Sequence, residues 1–439
     1  MSQPIPPLPA DQIQFIQSAD RAHLASALSR VLPLSNHTWF PRGNRYVPSA
    51  SARVEQESNV VAPGNAQDFV QYLASSSFTH CADAWGYVGR AIDGILRGDL
   101  PGAVHLVYYA ELRAAISLLA SEGIFVGNMD HFVVDSTGPQ EFKRQGGGRA
   151  GTHKFAWQAL HAWTDGPRAQ ALFGEVVRPG GETFANWVAP LTSNAARAVI
   201  GELFKLMSLD LVEFDQDHRR RNTASYNPGR LDPMDLSVGA TRDLVTEVWT
   251  ALEPGPGSAF PALDDALLPD LLHSIFDAVK PRAAWKDWVE QLAPTSQNGT
   301  ALLAKLQAST GGTSSAGLMG AMYNSASSDT DPRSFLRPML ARTVLLLRLA
   351  TGSAISLLRE SGQTAAAVRP WIDSLATARG LWPNVGTLDD PHDLWADIEL
   401  ALDEARSAGV GSLHELLDGL TTGMRVFGQG ERVPVWSFA

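Results

Sequence analysis

Apolar residues recur at helical spacing along most of this 439-residue chain, and the period-two alternation that builds strands is rare. The clearest stripe runs from His105 to Ser121. With Leu112 as origin, His105, Tyr108, Tyr109, Ala115, Ile116 and Leu119 fall within roughly 60° of it at about 100° per residue. Glu111 and Arg113 flank the stripe, and Glu122-Gly123 supplies a stop of the kind glycine gives at a helix C-terminus. Similar patterns predict helices from Asp11 to Leu32, Gln67 to Leu73, Cys81 to Leu96, Ala195 to Leu211, Thr241 to Leu252, Asp264 to Val279, Ala284 to Leu292, Pro338 to Arg359, Thr364 to Arg379, Pro391 to Ala408 and Ser412 to Met424. A hairpin is expected with arms at Asp130 to Asp135 and Gln140 to Arg144, and a single strand in the tail from Gly430 to Ala439. The expected fold class is therefore mainly α: a helical bundle with a small β-hairpin insertion, plus a second helical domain.

Punctuation divides the chain into three parts. Residues 1–65 read as an N-terminal helix followed by an irregular arm rich in Pro, Ser, Asn and Arg. Residues 66–255 form the bundle, ended by Gly255-Pro256-Gly257-Ser258. Residues 256–439 form the second helical domain, in which the Gly- and Ser-rich stretch 309–331 reads as a flexible loop.

A 44% hydrophobic fraction is enough for a packed core. The net charge of −11 argues against coating a duplex, which needs many Lys and Arg contacts, but leaves room for a local basic groove. A single cysteine, Cys81, excludes an internal disulfide and a multi-cysteine zinc site. The start, Met1 to Pro7, lacks the basic-then-apolar pattern of a signal peptide. The most apolar run, Met339 to Leu358, is interrupted by Arg342 and Arg348 and reads as a buried helix rather than a membrane span. The expectation is a soluble cytoplasmic protein without membrane contact or cofactor.

Against that acidic background stands His218-Arg219-Arg220-Arg221-Asn222, followed by Thr223 to Pro228 and preceded by Glu213, Asp215 and Asp217. The acids alternate as on a strand or turn and read as solvated. Three fates are open to the arginines: gripping a phosphate, contacting a neighbouring chain, or pairing with those acids. Gln145 to Lys154 is a second basic stretch. Gly146 and Gly151 have the spacing of a phosphate loop, but Thr152 stands where such a loop needs lysine. The expectation there is a hairpin tip leading into a helix capped by Thr152, with Arg149, His153 and Lys154 touching a phosphate backbone. Neither H-E-x-x-H nor C-x-x-C occurs, and His392, Asp393, Asp397 and Glu399 read as surface charge, so no metal is expected. His105 reads as a hydrogen-bonded core histidine. Cys81 beside His80 makes a poor nucleophile pair, because sequence neighbours rarely face each other.

The helix Tyr108-Tyr109-Ala110-Glu111-Leu112-Arg113-Ala114-Ala115, with the later Arg221-Asn222-x-x-x-Tyr226-x-Pro228, resembles the HEPN superfamily of small helical domains over about Gln67 to Pro254. Members of that superfamily are often metal-independent ribonucleases of bacterial toxin and antiviral systems. The resemblance implies an RNA-directed effector or toxin of a defence module, an RNA substrate such as tRNA, and a homodimer, because such sites form where two bundles meet. Its alternative is a non-catalytic binding or scaffold subunit of a multi-protein defence complex. Arg221 would hold the scissile phosphate, Asn222 would orient it, His218 or Tyr226 would move protons, and Arg219 and Arg220 would add phosphate contacts. The family histidine is absent, since positions 226, 227 and 228 are Tyr, Asn and Pro. Histidine titrates near neutrality and tyrosine near 10, so Tyr226 would be a poor base. On a helix, however, His218 would share a face with Arg221 and Asn222.

Overall fold

A computed structural model describes residues 4–35, 39–40, 43–57, 63–142, 150–191, 204, 207, 209–231, 238–255, 258–308, 317–323, 328, 330–382, 390–407 and 422–438. It is mainly helical, at 72%, with one small antiparallel sheet. The described helices are α1 (Ala10–Gln17), α2 (Arg21–Ser35), α3 (Ala50–Gln56), α4 (Pro63–Leu96), α5 (Leu100–Ser121), α6 (Thr152–Thr164), α7 (Pro167–Val176), α8 (Phe184–Val188), α9 (Leu211–Tyr226), α10 (Val238–Ala251), α11 (Pro261–Val279), α12 (Trp285–Val289), α13 (Gln297–Ala308), α14 (Pro332–Glu360), α15 (Ala365–Ala378), α16 (Asp393–Ser407) and α17 (Arg432–Phe438).

Helices α4 and α5 form a tight hairpin. Gly98, at φ +73°, makes the reversal that a side chain would resist. Asp99 then caps α5, its carboxylate accepting from the Gly102 N–H at 3.0 Å. Helix α5 is apolar almost all round because it is covered almost all round, by α4, α6, α9 and α14. Helix α14 is buried along nearly its whole length, and small residues let α5 approach it: Ser121 and Ser353 hydroxyls meet at 2.7 Å. Both helices are long and apolar enough to cross a membrane, but 78% and 94% of their most apolar windows are already buried against protein. The arginines in α14 are carried inward by carboxylates: Arg348 binds Asp264 with Nε at 2.9 Å and Nη2 at 2.8 Å.

The core runs without a break across the boundary expected at 255, since α14 packs along α5 and α4 within one cluster of buried side chains. The sheet has order β1 (Ile124–Val126), β2 (His131–Asp135), β3 (Gly138–Glu141), with Phe125 opposite Phe132 and Val133 opposite Gln140. The hairpin expectation therefore stands with one added strand. Its turn is set by Asp135, whose Oδ1 accepts from the Thr137 N–H at 2.7 Å.

Several expectations need correcting. Gln67 to Leu73 and Cys81 to Leu96 are parts of one helix, α4, while Asp11 to Leu32 is broken into α1 and α2. The tail is a helix, not a strand. The run Val433-Pro434-Val435-Trp436 is too short for its pattern to decide between a buried strand and a buried helix. The tail helix Arg432–Phe438 packs Phe438 on Phe78 and Trp436 on Trp395. Gly430 makes this possible, because a Cβ there would collide with the Trp85 carbonyl. Within the stretch read as a loop, Met319–Tyr323 forms a 3-10 turn whose Met319, Ala321 and Met322 are buried; residues 309–316 lie outside the described residues. So do most of the helix expected from 195 to 211 and that expected from 412 to 424.

Candidate anion-binding site

Helix α9 carries the basic stretch. Asp210 starts it, accepting from the Val212 and Glu213 N–H groups at 2.8 and 3.1 Å. Glu213, Asp215 and Asp217 thus lie on a helix and not on an alternating strand or turn, and Asp215 and Asp217 are buried. Successive residues on a helix point about 100° apart. Arg219, Arg220 and Arg221 consequently meet three different surroundings.

Arg219 reaches back one turn to Asp215 and stays half exposed. Arg220 is sealed in the core, which corrects its expected role as a phosphate contact. Its Nη1 donates to Asp217 Oδ1 at 2.8 Å, its Nη2 donates to Gln216 Oε1 at 3.0 Å, and its guanidinium lies 4.9 Å from the centre of the Phe335 ring. Arg342 of α14 closes on the other Asp217 oxygen and lies 3.4 Å from Glu213. Glu111 of α5 is fully buried nearby, and among the described residues neither carboxylate oxygen has a hydrogen-bond partner. Burial, then the charge of Asp217, pushes its pKa well above the ordinary carboxylate range. Asp217 and Glu213 are the carboxylates that face Arg220 and Arg342.

Arg221 differs. Among the described residues no carboxylate pairs with it. Its Nη1 donates to Asn222 Oδ1 at 2.8 Å, its Nη2 donates to the Tyr109 hydroxyl, and its buried Nε has no partner among the described residues. Aromatic faces surround it, with ring centres of Tyr109, Tyr108 and Tyr226 at 5.0, 5.8 and 5.9 Å from Cζ.

Three histidines gather beside this arginine. His153, at the start of α6, stacks on His218 at 5.5 Å between ring centres, and Tyr108 stacks on both. The Tyr108 hydroxyl lies 2.8 Å from His153 Nδ1, and the Trp157 indole donates to the same oxygen at 3.4 Å. His105 Nδ1 lies 2.6 Å from the Ser225 hydroxyl, and its ring sits 4.8 Å from Tyr109. Burial first, then the charges of His218 and Arg221, holds His153 down to about 4. His218 and His105 are lowered by the same two causes, burial and Arg221. Near pH 7 the cluster is a lone guanidinium framed by neutral imidazoles. Among the described residues, His218 has no hydrogen-bond partner.

No family model, characterised protein or solved structure matches the chain. The site therefore rests on its own geometry. Of the residues singled out in the sequence, Arg221, Asn222, His218, Tyr226 and His153 come together. Lys154 shares the first turn of α6 with His153, and Arg149 lies outside the described residues. The helix cap expected of Thr152 falls to Gly151, while the Thr152 hydroxyl donates to the Gly127 carbonyl at 2.9 Å. His105 is half-buried at the edge of the cluster. Tyr108, Tyr109 and Ser225 were not singled out as site residues, although both tyrosines open the α5 motif. Cys81 is buried against Thr351 at 3.2 Å, and burial pushes its thiol up to about 12. Among the described residues no three His, Cys, Asp or Glu side chains are grouped to hold a metal ion.

Proposed function

We propose that the Arg221 cluster binds a phosphate of RNA and that the chain is an RNA-directed effector with metal-independent endoribonuclease chemistry, of the kind its resemblance to HEPN proteins implies. One observation carries this reading: among the described residues, Arg221 is the one of the three consecutive arginines without a carboxylate, and imidazoles gather around it instead. A buried guanidinium without a counterion favours an anionic ligand, and its planar fork suits a phosphate.

In this mechanism the ribose 2′-oxygen attacks the adjacent phosphorus and the bond to the 5′-oxygen breaks. His218, neutral and without a hydrogen-bond partner among the described residues, takes the 2′ proton. The bound phosphate raises the pKa of the neighbouring imidazoles, so His153 protonates from solvent and passes that proton to the leaving 5′-oxygen. Arg221 stabilises the charge on phosphorus throughout. These histidines would supply the function for which the family uses the histidine missing after Asn222. The products are a 2′,3′-cyclic phosphate and a 5′-hydroxyl.

The test is incubation with tRNA and total RNA, with and without a chelator. Chelator-resistant fragments ending in cyclic phosphate are expected, lost in Arg221→Ala and in His218→Ala but kept in Arg219→Ala. A second reading is favoured by the depth of Arg221, which is only 8% exposed. It is binding without cleavage, as a subunit of a multi-protein defence complex. RNA retention without cutting would select it, and absence of both would reject the two readings together.

A further inference from the structure

The cleft beside the cluster has a composition at odds with the chain as a whole. It encloses about 350 Å³ and none of its lining residues is acidic, in a protein of net charge −11. One face of α5 forms a wall, through Tyr109, Leu112, Arg113 and Ile116 at i, i+3, i+4 and i+7. The tip of the sheet forms another, through Phe125 and Val126, and Tyr72 of α4 adds a second phenol ring.

Two residues belong to both cleft and cluster. Tyr109 lines the cleft while its hydroxyl accepts from Arg221, and His153 lines it while stacking on His218. A ligand whose phosphate sits on Arg221 therefore has its neighbouring group delivered into this space. One turn along the same wall, Arg113 is a second arginine that no carboxylate pairs with among the described residues. Arg113 donates from Nη1 to His80 Nδ1 at 3.0 Å. Asp83 feels its charge but forms no ion pair with it among the described residues.

We propose that this cleft is a nucleobase subsite, holding the unpaired base next to the phosphate on Arg221, with Arg113 reading the base edge. The proposal rests on the phosphate reading of Arg221. Its chemistry follows from the lining. Phenol rings and an apolar floor suit the flat face of a base, and a base can enter such a space only when splayed out of a helix. Arg113 offers donors and no acceptor, so the edge it fits carries acceptors, as guanine does with O6 and N7. The ligand class is therefore single-stranded RNA with a guanine flanking the bound phosphate.

The experiment compares affinities by fluorescence anisotropy for short single-stranded RNAs: one containing guanine, one with cytosine in its place, and one of abasic ribose phosphates. The full-length chain should bind the guanine strand at least tenfold more tightly than the abasic one, with cytosine weaker than guanine. Arg113→Ala should remove the guanine preference, and Ser51→Trp, at the exposed rim, should lower guanine-strand affinity to the abasic level. Neither should change abasic binding, and Arg221→Ala should abolish all three. Equal affinity for the three strands, or preferences untouched by both cleft variants, would overturn the subsite and leave the phosphate reading standing. Failure of every strand to bind would overturn both.

Discussion

Arg220 and Arg221 are adjacent on one helix and live in opposite electrostatic settings. Arg220 faces the core, where Asp217 meets it and Arg342 shares the acid from the other side. Arg221 faces two phenol hydroxyl-bearing rings of α5 and the imidazoles of His153 and His218, and among the described residues no acid pairs with it. The first arrangement is closed, its charges matched within the molecule. The second is open, with a charge that a ligand can complete. A rotation of about 100° per residue is enough to separate structure from function within one basic run.

The largest expected effect is on the closed side. Asp217→Ala removes the carboxylate that two buried guanidinium groups share, leaving Glu213 near Arg342 alone, and should cost about 3–5 kcal/mol in denaturant unfolding. Arg221→Ala removes a side chain held by two hydrogen bonds and by ring contacts, so it should cost only about 1 kcal/mol while lowering RNA affinity more than tenfold. A loss of stability as large as that of Asp217→Ala would erase the distinction between the two arginines.

Protons sharpen it further. The pKa of Glu111 is raised on folding, so its contribution is intact below the ordinary value of about 4.5 and is lost as pH rises through its folded value. Glu111→Gln stays neutral and should gain stability relative to the natural chain as pH rises above about 4.5. His153 has the opposite sign. Its pKa falls from 6.5 to about 4, so its contribution is present above 6.5 and is lost as pH falls through about 4. His153→Gln should therefore show a shallower acid-induced loss across that window, measured by thermal melts at stepped pH. The smallest effect belongs to Arg219→Ala, about 0.5 kcal/mol, because the arginine is half exposed and its pair with the buried Asp215 is local, one turn back on the same helix.

The helices were legible where burial leaves a periodic trace, as along α5 and α14. The cluster was legible only in part. Arg221, Asn222, His218 and Tyr226 lie on one short stretch, so a helical wheel could bring them together. His153 could be singled out only for its basic neighbours, because nothing local says that a residue 45 positions after Tyr108 hydrogen-bonds to it. Glu111 read as a flank of the apolar stripe because its charge type suggested water. The cost of burying it is lowered by a proton, which a sequence does not display. The alternation of Glu213, Asp215 and Asp217 misled for a related reason: carboxylates that pair with core arginines have no need of solvent.

The grip of Arg342 on Asp217 also bears on synthesis. While a ribosome is still translating the first 255 codons, α9 has its acids and its own arginines but lacks the helix that covers them. The charged layer under the site cannot close until position 342 has emerged, so α9 reaches its final setting late. The face of α9 that carries Arg221 would thus be supported from beneath only after α14 has been made.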